Sequence, residues 1–227
     1  MAAKKDFKTI YSGTMGGDEM KTPLNKLEQR ILQISYKKGL SHLGSCLTSV
    51  RIIDQIYQVK KENEPFILDN SHSALALYVI IEKVYFKNAE KLFDKHGVHA
   101  NRDMNNKIWS SGGSLGHNIG IGVGMALANS KRNAWVLTSD GAMNEGSNWE
   151  ALRIAGELRL ENLRVFVNAN GYGAYSRIDV DLLEQRMNMF YPCIVFKTNM
   201  FKYPDYLNGL ESHYHVLTKE EYEEIAK

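Results

Sequence analysis

Two short apolar runs, each closed by a polar residue and a glycine, constrain this chain more than any other feature. Ala134 to Thr138 has the composition of a strand and runs into Ser139-Asp140-Gly141. Leu163 to Val167 does the same and runs into Asn168-Ala169-Asn170-Gly171. Between them, Ser147 to Leu158 carries apolar residues at helical spacing. Strand, helix and strand within about 35 residues form a βαβ unit, and its crossover imposes parallel pairing. The expected fold class is α/β, three-layered, with a mostly parallel sheet and helices on both faces.

The remaining segments fit that frame. Helices are predicted from Leu24 to Tyr36, with Thr22 as cap and Pro23 in the first turn, and from about Ser45 to Gln58. Phe66 to Leu68 is a short strand, and Ser73 to Val84 a buried helix. A helix around Ala89 to Lys95 precedes the Gly/Ser loop Ser111 to Gly116. The loop leads into a helix over Asn118 to Asn129 that is rich in glycine and alanine. Asp181 to Met189 is a short helix and Cys193 to Lys197 a further strand. Residues 1–23, polar and glycine-rich around Gly13 to Gly17, read as an N-terminal arm, with a single domain over 24–227.

Composition excludes several classes of partner. A formal charge of +2 over 227 residues gives no electrostatic case for nucleic acid or an anionic membrane surface. No apolar stretch reaches the roughly 18 residues of a membrane span, and Met1 to Ile10 has no apolar signal segment. Cys46 and Cys193 lie far apart in no metal-ligand spacing, as incidental thiols do in a reducing compartment. A cytoplasmic location is expected.

Ligands of open α/β sheets bind beyond the carboxyl ends of the strands. Asp140 and Asn170 stand 170 − 140 = 30 residues apart, one βαβ repeat, so both reach the same sheet edge. A carboxylate and an amide oxygen are hard donors suited to Mg²⁺ or Ca²⁺. Magnesium completes its shell with water and phosphate oxygens, so a phosphate-bearing ligand follows. The backbone carbonyl of Tyr172 is a candidate third ligand. Gly141 admits a phosphate closely, and the amides of the Ser111–Gly116 loop, at a helix start, form an anion site.

The stretch Ser139-Asp140-Gly141-Ala142-Met143-Asn144-Glu145-Gly146, with Asn170-Gly171 following, resembles the thiamine diphosphate motif. The continuation through Ser147-Asn148-Trp149-Glu150-Ala151 is similar to transketolases. So is Gly113-Ser114-Leu115-Gly116-His117, which precedes Gly124-Met125-Ala126. His42 in Ser-His-Leu-Gly, His72 in Asn-Ser-His-Ser, His99 and His213 stand in the order of the family's active-site histidines. The likeness covers about residues 24–223.

That resemblance implies the diphosphate-binding domain of the thiamine diphosphate fold. His72, Gly113, Ser114, Leu115, Asp140, Gly141, Asn170 and His213 would contact cofactor, and Asp140, Asn170 and Tyr172 would hold the metal. His42, His72, His99 and His213 would be catalytic. The implied activity is ketol transfer between sugars by the N-terminal subunit of a split transketolase. Its partner would be a C-terminal subunit carrying the pyrimidine-binding domain, in a heterotetramer that uses a sugar or sugar phosphate. Two alternatives stay open: one component of a decarboxylating acyl transferase, and a non-catalytic, cofactor-binding component. For a phosphoryl-transfer enzyme a P-loop would be expected, and it is absent. Ser139, Asn168, His117 and Asn118 depart from the family pattern. The stretch from Arg177 to Ile194 is also short, which points to a specialised sugar pathway.

Overall fold

The computed structural model describes residues 24–173, 176–198 and 203–226. The predicted arm and the cap and first-turn residues Thr22 and Pro23 lie outside them. The elements in chain order are α1 (Lys26–Lys38), α2 (Leu43–Val59), β1 (Phe66–Leu68), α3 (Ala74–Tyr85), α4 (Ala89–His96), α5 (Asn118–Ala128), β2 (Ala134–Ser139), α6 (Gly146–Glu157), β3 (Leu163–Ala169), α7 (Val180–Phe190), β4 (Cys193–Lys197) and α8 (Lys219–Ile225). The four strands form one sheet in the order β1-β2-β3-β4, every pair parallel.

Alternation along the strands divides the core. Trp135, Leu137 and Phe166 face a cluster built on α1 to α4. Val136, Val165 and Val167 face a second cluster with α5, α6 and α7. Both faces of the sheet are therefore covered, as a parallel sheet requires, and the three-layer α/β expectation holds. No helix among the described residues is long and apolar enough to cross a membrane.

Two details of the helices differ from the sequence expectation. The cap of α1 is Asn25, in a reciprocal capping box with Glu28. Glu28 is buried, and its carboxylate also takes a bidentate ion pair from Arg51, at 2.7 and 3.0 Å, and the hydroxyl of Tyr203 at 2.8 Å. Helix α8 was not expected. Its strongly charged seven residues carry little periodicity, and a second capping box, Thr218 with Glu221, starts it. Tyr222 of α8 stacks on Tyr36 of α1 with ring centroids 4.2 Å apart. The C-terminal segment is thereby folded back over the amino end of the domain.

Candidate active site

The carboxyl ends of β2 and β3 meet as the βαβ unit requires, with Ser139 in register with Asn168. The Asp140 amide donates to the Asn168 carbonyl at 3.2 Å, which carries the pairing one residue past the strand. The Asp140 carboxylate is 2% exposed and accepts from the amides of Gly141, at 3.0 Å, and Gly171, at 2.7 Å. Burial pushes its carboxyl up to about 6, against the opposing pull of those amides. The Asn170 side-chain oxygen accepts from Tyr172 N at 3.0 Å. A β-bridge between Tyr172 and Arg177 pins the next loop, so the Tyr172 carbonyl lies 3.8 Å from where a Cβ on Gly141 would stand. One buried carboxylate, one amide oxygen and one carbonyl oxygen thus share one edge. That donor set fits a hard divalent cation, and a carboxylate destabilised by burial gains most from one. Among the described residues no three His, Cys, Asp or Glu side chains gather as a metal site of their own. Any cation here would complete its shell from carbonyls, water or a ligand.

The same edge opens into a cavity of ≈ 250 Å³. Its lining includes His42, His72, Leu115, Asp140, Gly141, Asn170, Tyr172 and His213, eight residues singled out from the sequence. His42, the residue ahead of α2, has φ +62°, a left-handed conformation uncommon outside glycine. Its ring meets those of His72 and His213 edge-on at centroid distances of 5.1 and 6.0 Å. Burial first, then the neighbouring imidazoles, push His72 down to about 3. Burial likewise lowers His42. Both rings are therefore neutral at pH 7.

Three expected residues stand outside the lining. The ring of His99 sits one layer out, its Nδ1 3.2 Å from the Ser71 hydroxyl. Gly113 and Ser114 are not part of the cavity wall, and a Cβ on Gly113 would come 3.3 Å from the His99 ring. The helix-start anion site is also partly filled from within. Buried Asp69 accepts from the amides of Gly116 and Asn118, and from Thr138 Oγ1 at 2.7 Å and Asn148 Nδ2 at 3.0 Å. Amides ahead of Gly116 are the ones left for an external phosphate.

The departures from the family pattern have local explanations. Ser139 Oγ accepts from Ala142 N at 3.2 Å and caps the turn after β2. Asn168 donates to Thr48 Oγ1 and Ser49 Oγ and accepts from Thr198 Oγ1, a set that uses both ends of an amide. Asn118 Nδ2 donates to the Leu68 carbonyl and ties α5 to β1. Asn70, which also lines the cavity, was missed. It is fully buried, and its Oδ1 has no hydrogen-bond partner among the described residues. The rule that found Asp140 would have found it, since Asp69-Asn70 closes β1 at the same edge.

Comparison with known proteins adds to this geometry. The family model described as 1-deoxy-D-xylulose-5-phosphate synthase matches residues 6–213. The A subunit of apulose-4-phosphate transketolase from Actinobacillus succinogenes is 26% identical over 174 residues, 67% of this chain and 63% of that protein. Its namesake from Phocaeicola vulgatus is 28% identical over 166 residues, 64% of this chain and 58% of that one. The chain thus spans about three fifths of the length of these curated relatives. Among solved structures, transketolase from Leishmania mexicana superposes with a TM-score of 0.69 at 18% identity, covering 90% of this chain and 41% of that one.

Proposed function

Because the chain belongs to the 1-deoxy-D-xylulose-5-phosphate synthase family by a match over residues 6–213, we propose that it is the diphosphate-binding, N-terminal part of a transketolase-like transferase. The enzyme would use thiamine diphosphate and Mg²⁺, or Ca²⁺, and move a two-carbon ketol unit between sugars. One observation carries the reading: the oxygen donors of Asp140, Asn170 and Tyr172 open into the same cavity as His42, His72 and His213. An oxygen cage for a metal diphosphate and neutral imidazoles for proton transfer are the two things such chemistry asks of a protein.

Asp140, Asn170 and the Tyr172 carbonyl would hold the metal. Gly141 and the amides around Gly113 and Ser114 would take the diphosphate. Thiamine diphosphate, when bound, supplies the carbon nucleophile and electron sink. The histidines move protons at the sugar hydroxyls, for which neutral imidazole is suited. A pyrimidine-binding domain on a partner protein would close the cavity, in a heterotetramer. Both apulose-4-phosphate transketolase relatives are themselves one component of a transketolase made of separate chains, which supports a partner of this kind. Their names also support a specialised sugar-phosphate acceptor or donor. Cys46 and Cys193 are buried and free of disulfides, in keeping with a cytoplasmic, reducing setting.

Isothermal calorimetry of the chain co-purified with its partner tests the proposal. Thiamine diphosphate is expected to bind in the presence of Mg²⁺ and to be lost on chelation. An intact complex that binds no thiamine diphosphate would refute it.

A further inference from the structure

A carbonyl oxygen accepts hydrogen bonds and cannot donate one. That asymmetry assigns a proton in the cavity. The ring Nδ1 of His42 is hydrogen-bonded to the main-chain oxygen of His213, and the His42 amide donates to the same oxygen at 3.0 Å. Nδ1 must therefore carry the hydrogen. A neutral imidazole has only one, so Nε2 is left with a lone pair. Nε2 has no hydrogen-bond partner among the described residues, and the residue lines the cavity.

The geometry points to the main-chain carbonyl of His213 as a positioning group that holds His42 in its Nδ1–H tautomer and makes Nε2 a proton acceptor in the cavity. The left-handed backbone at His42 belongs to the same device. With φ +62° and ψ 22°, it turns amide and ring toward a single oxygen 171 residues away in sequence. Edge-on contacts with His72, His213 and Tyr214 hem the ring in. The titratable groups around it are therefore three more histidines, His99 included, and a tyrosine. None of these is a carboxylate that would hold a second proton on the ring. Burial keeps His42 neutral. His213 repeats the arrangement on a smaller scale, its own Nδ1 lying 3.1 Å from the Leu210 carbonyl.

The functional consequence rests on the reading of the cavity given above: His42 begins the reaction by taking a proton from a substrate hydroxyl, not by giving one. The segment that carries His213 thus acts on the chemistry through its backbone as well as through its imidazole.

Ring-nitrogen NMR decides the point. The chain is labelled with ¹⁵N-histidine, and long-range proton–nitrogen correlations are recorded at neutral pH without cofactor. The signals lost in His42→Gln belong to His42. Its Nδ1 is expected at a protonated, pyrrole-type shift and its Nε2 at a pyridine-type shift. His213→Ala keeps the carbonyl and should leave that pattern unchanged. A protonated Nε2, an averaged pair of shifts, or loss of the pattern in a folded His213→Ala chain would each overturn the inference. The measurement uses no thiamine diphosphate, so failure of the cofactor reading and failure of this one are separate results.

Discussion

The two walls of the cavity are built by different means. The Asp140–Asn170 wall is local. Thirty residues of βαβ chain (170 − 140 = 30) bring the groups together, and the strand register sets their spacing. The histidine wall is assembled from afar. His42 precedes α2, His72 sits in a turn of 3-10 helix after β1, and His213 arrives from the C-terminal segment. That segment is held by buried Leu207 and Leu217, the Tyr203–Glu28 hydrogen bond and the Tyr36–Tyr222 stack. A parallel sheet places ligands by secondary structure alone. A wall closed by a chain end depends on every contact that holds the end down. Damage to one wall should leave the other standing.

The largest expected effect is on the first wall. Asp140→Ala removes the sole carboxylate among the proposed metal ligands and should weaken Mg²⁺-dependent binding of thiamine diphosphate by at least ~100-fold. Calorimetry on the complex measures the loss. The His42 ring-nitrogen pattern should survive, because the hydrogen bonds of the Asp140 carboxylate run to the amides of Gly141 and Gly171 and not to that ring. Undiminished affinity in Asp140→Ala would mean that this wall does not carry the metal.

The walls should also answer pH with opposite sign. The folded pKa of Asp140, about 6, lies above its ordinary 3.8. The stability this proton gives is present below about pH 4 and lost as pH rises through 6. The folded pKa of His72, about 3, lies below its ordinary 6.5. Its contribution is present above pH 6.5 and lost as pH falls toward 3. Urea unfolding at pH 4.5 and 7.5 without metal would read both. Between those values, wild type should lose on the order of 2 kcal/mol relative to Asp140→Ala, and gain a similar amount relative to His72→Ala. Differences of the same sign in both variants would show that the two walls do not titrate separately.

The same contrast explains what the sequence could reveal. Asp140 and Asn170 are legible because alternation marks strands, strand ends mark the edge, and one crossover fixes the spacing. Strand β4 is legible in the same way, as five apolar-rich residues from Cys193 to Lys197. The histidines carry no such periodicity, and family resemblance alone singled them out. Nothing near His42 in the chain tells that its partner is a carbonyl at position 213. Nor does anything near Glu28 show that one carboxylate serves a capping box, an arginine and a tyrosine hydroxyl. Asp69 was passed over for a related reason. It fills the start of α5 from within, and only the fold brings β1 and α5 together. Tertiary closure, not local propensity, decides those positions.

The smallest effect is also the most selective probe of the comparison. Tyr203→Phe keeps the buried ring and deletes the hydroxyl that donates to Glu28 Oε1 at 2.8 Å. Loss of one buried hydrogen bond to a charged group should cost about 1–2 kcal/mol of stability, visible as a lower urea midpoint. Local opening should concentrate at the tether of the C-terminal segment. The His42 amide, which donates to the His213 carbonyl, is then expected to exchange its hydrogen faster. The Gly171 amide, which donates to Asp140 at the other wall, should exchange at its original rate under conditions where global unfolding is rare. Equal acceleration at both amides would mean that the walls open as one unit. In that case the C-terminal segment would not be a separate closure laid over a finished sheet edge.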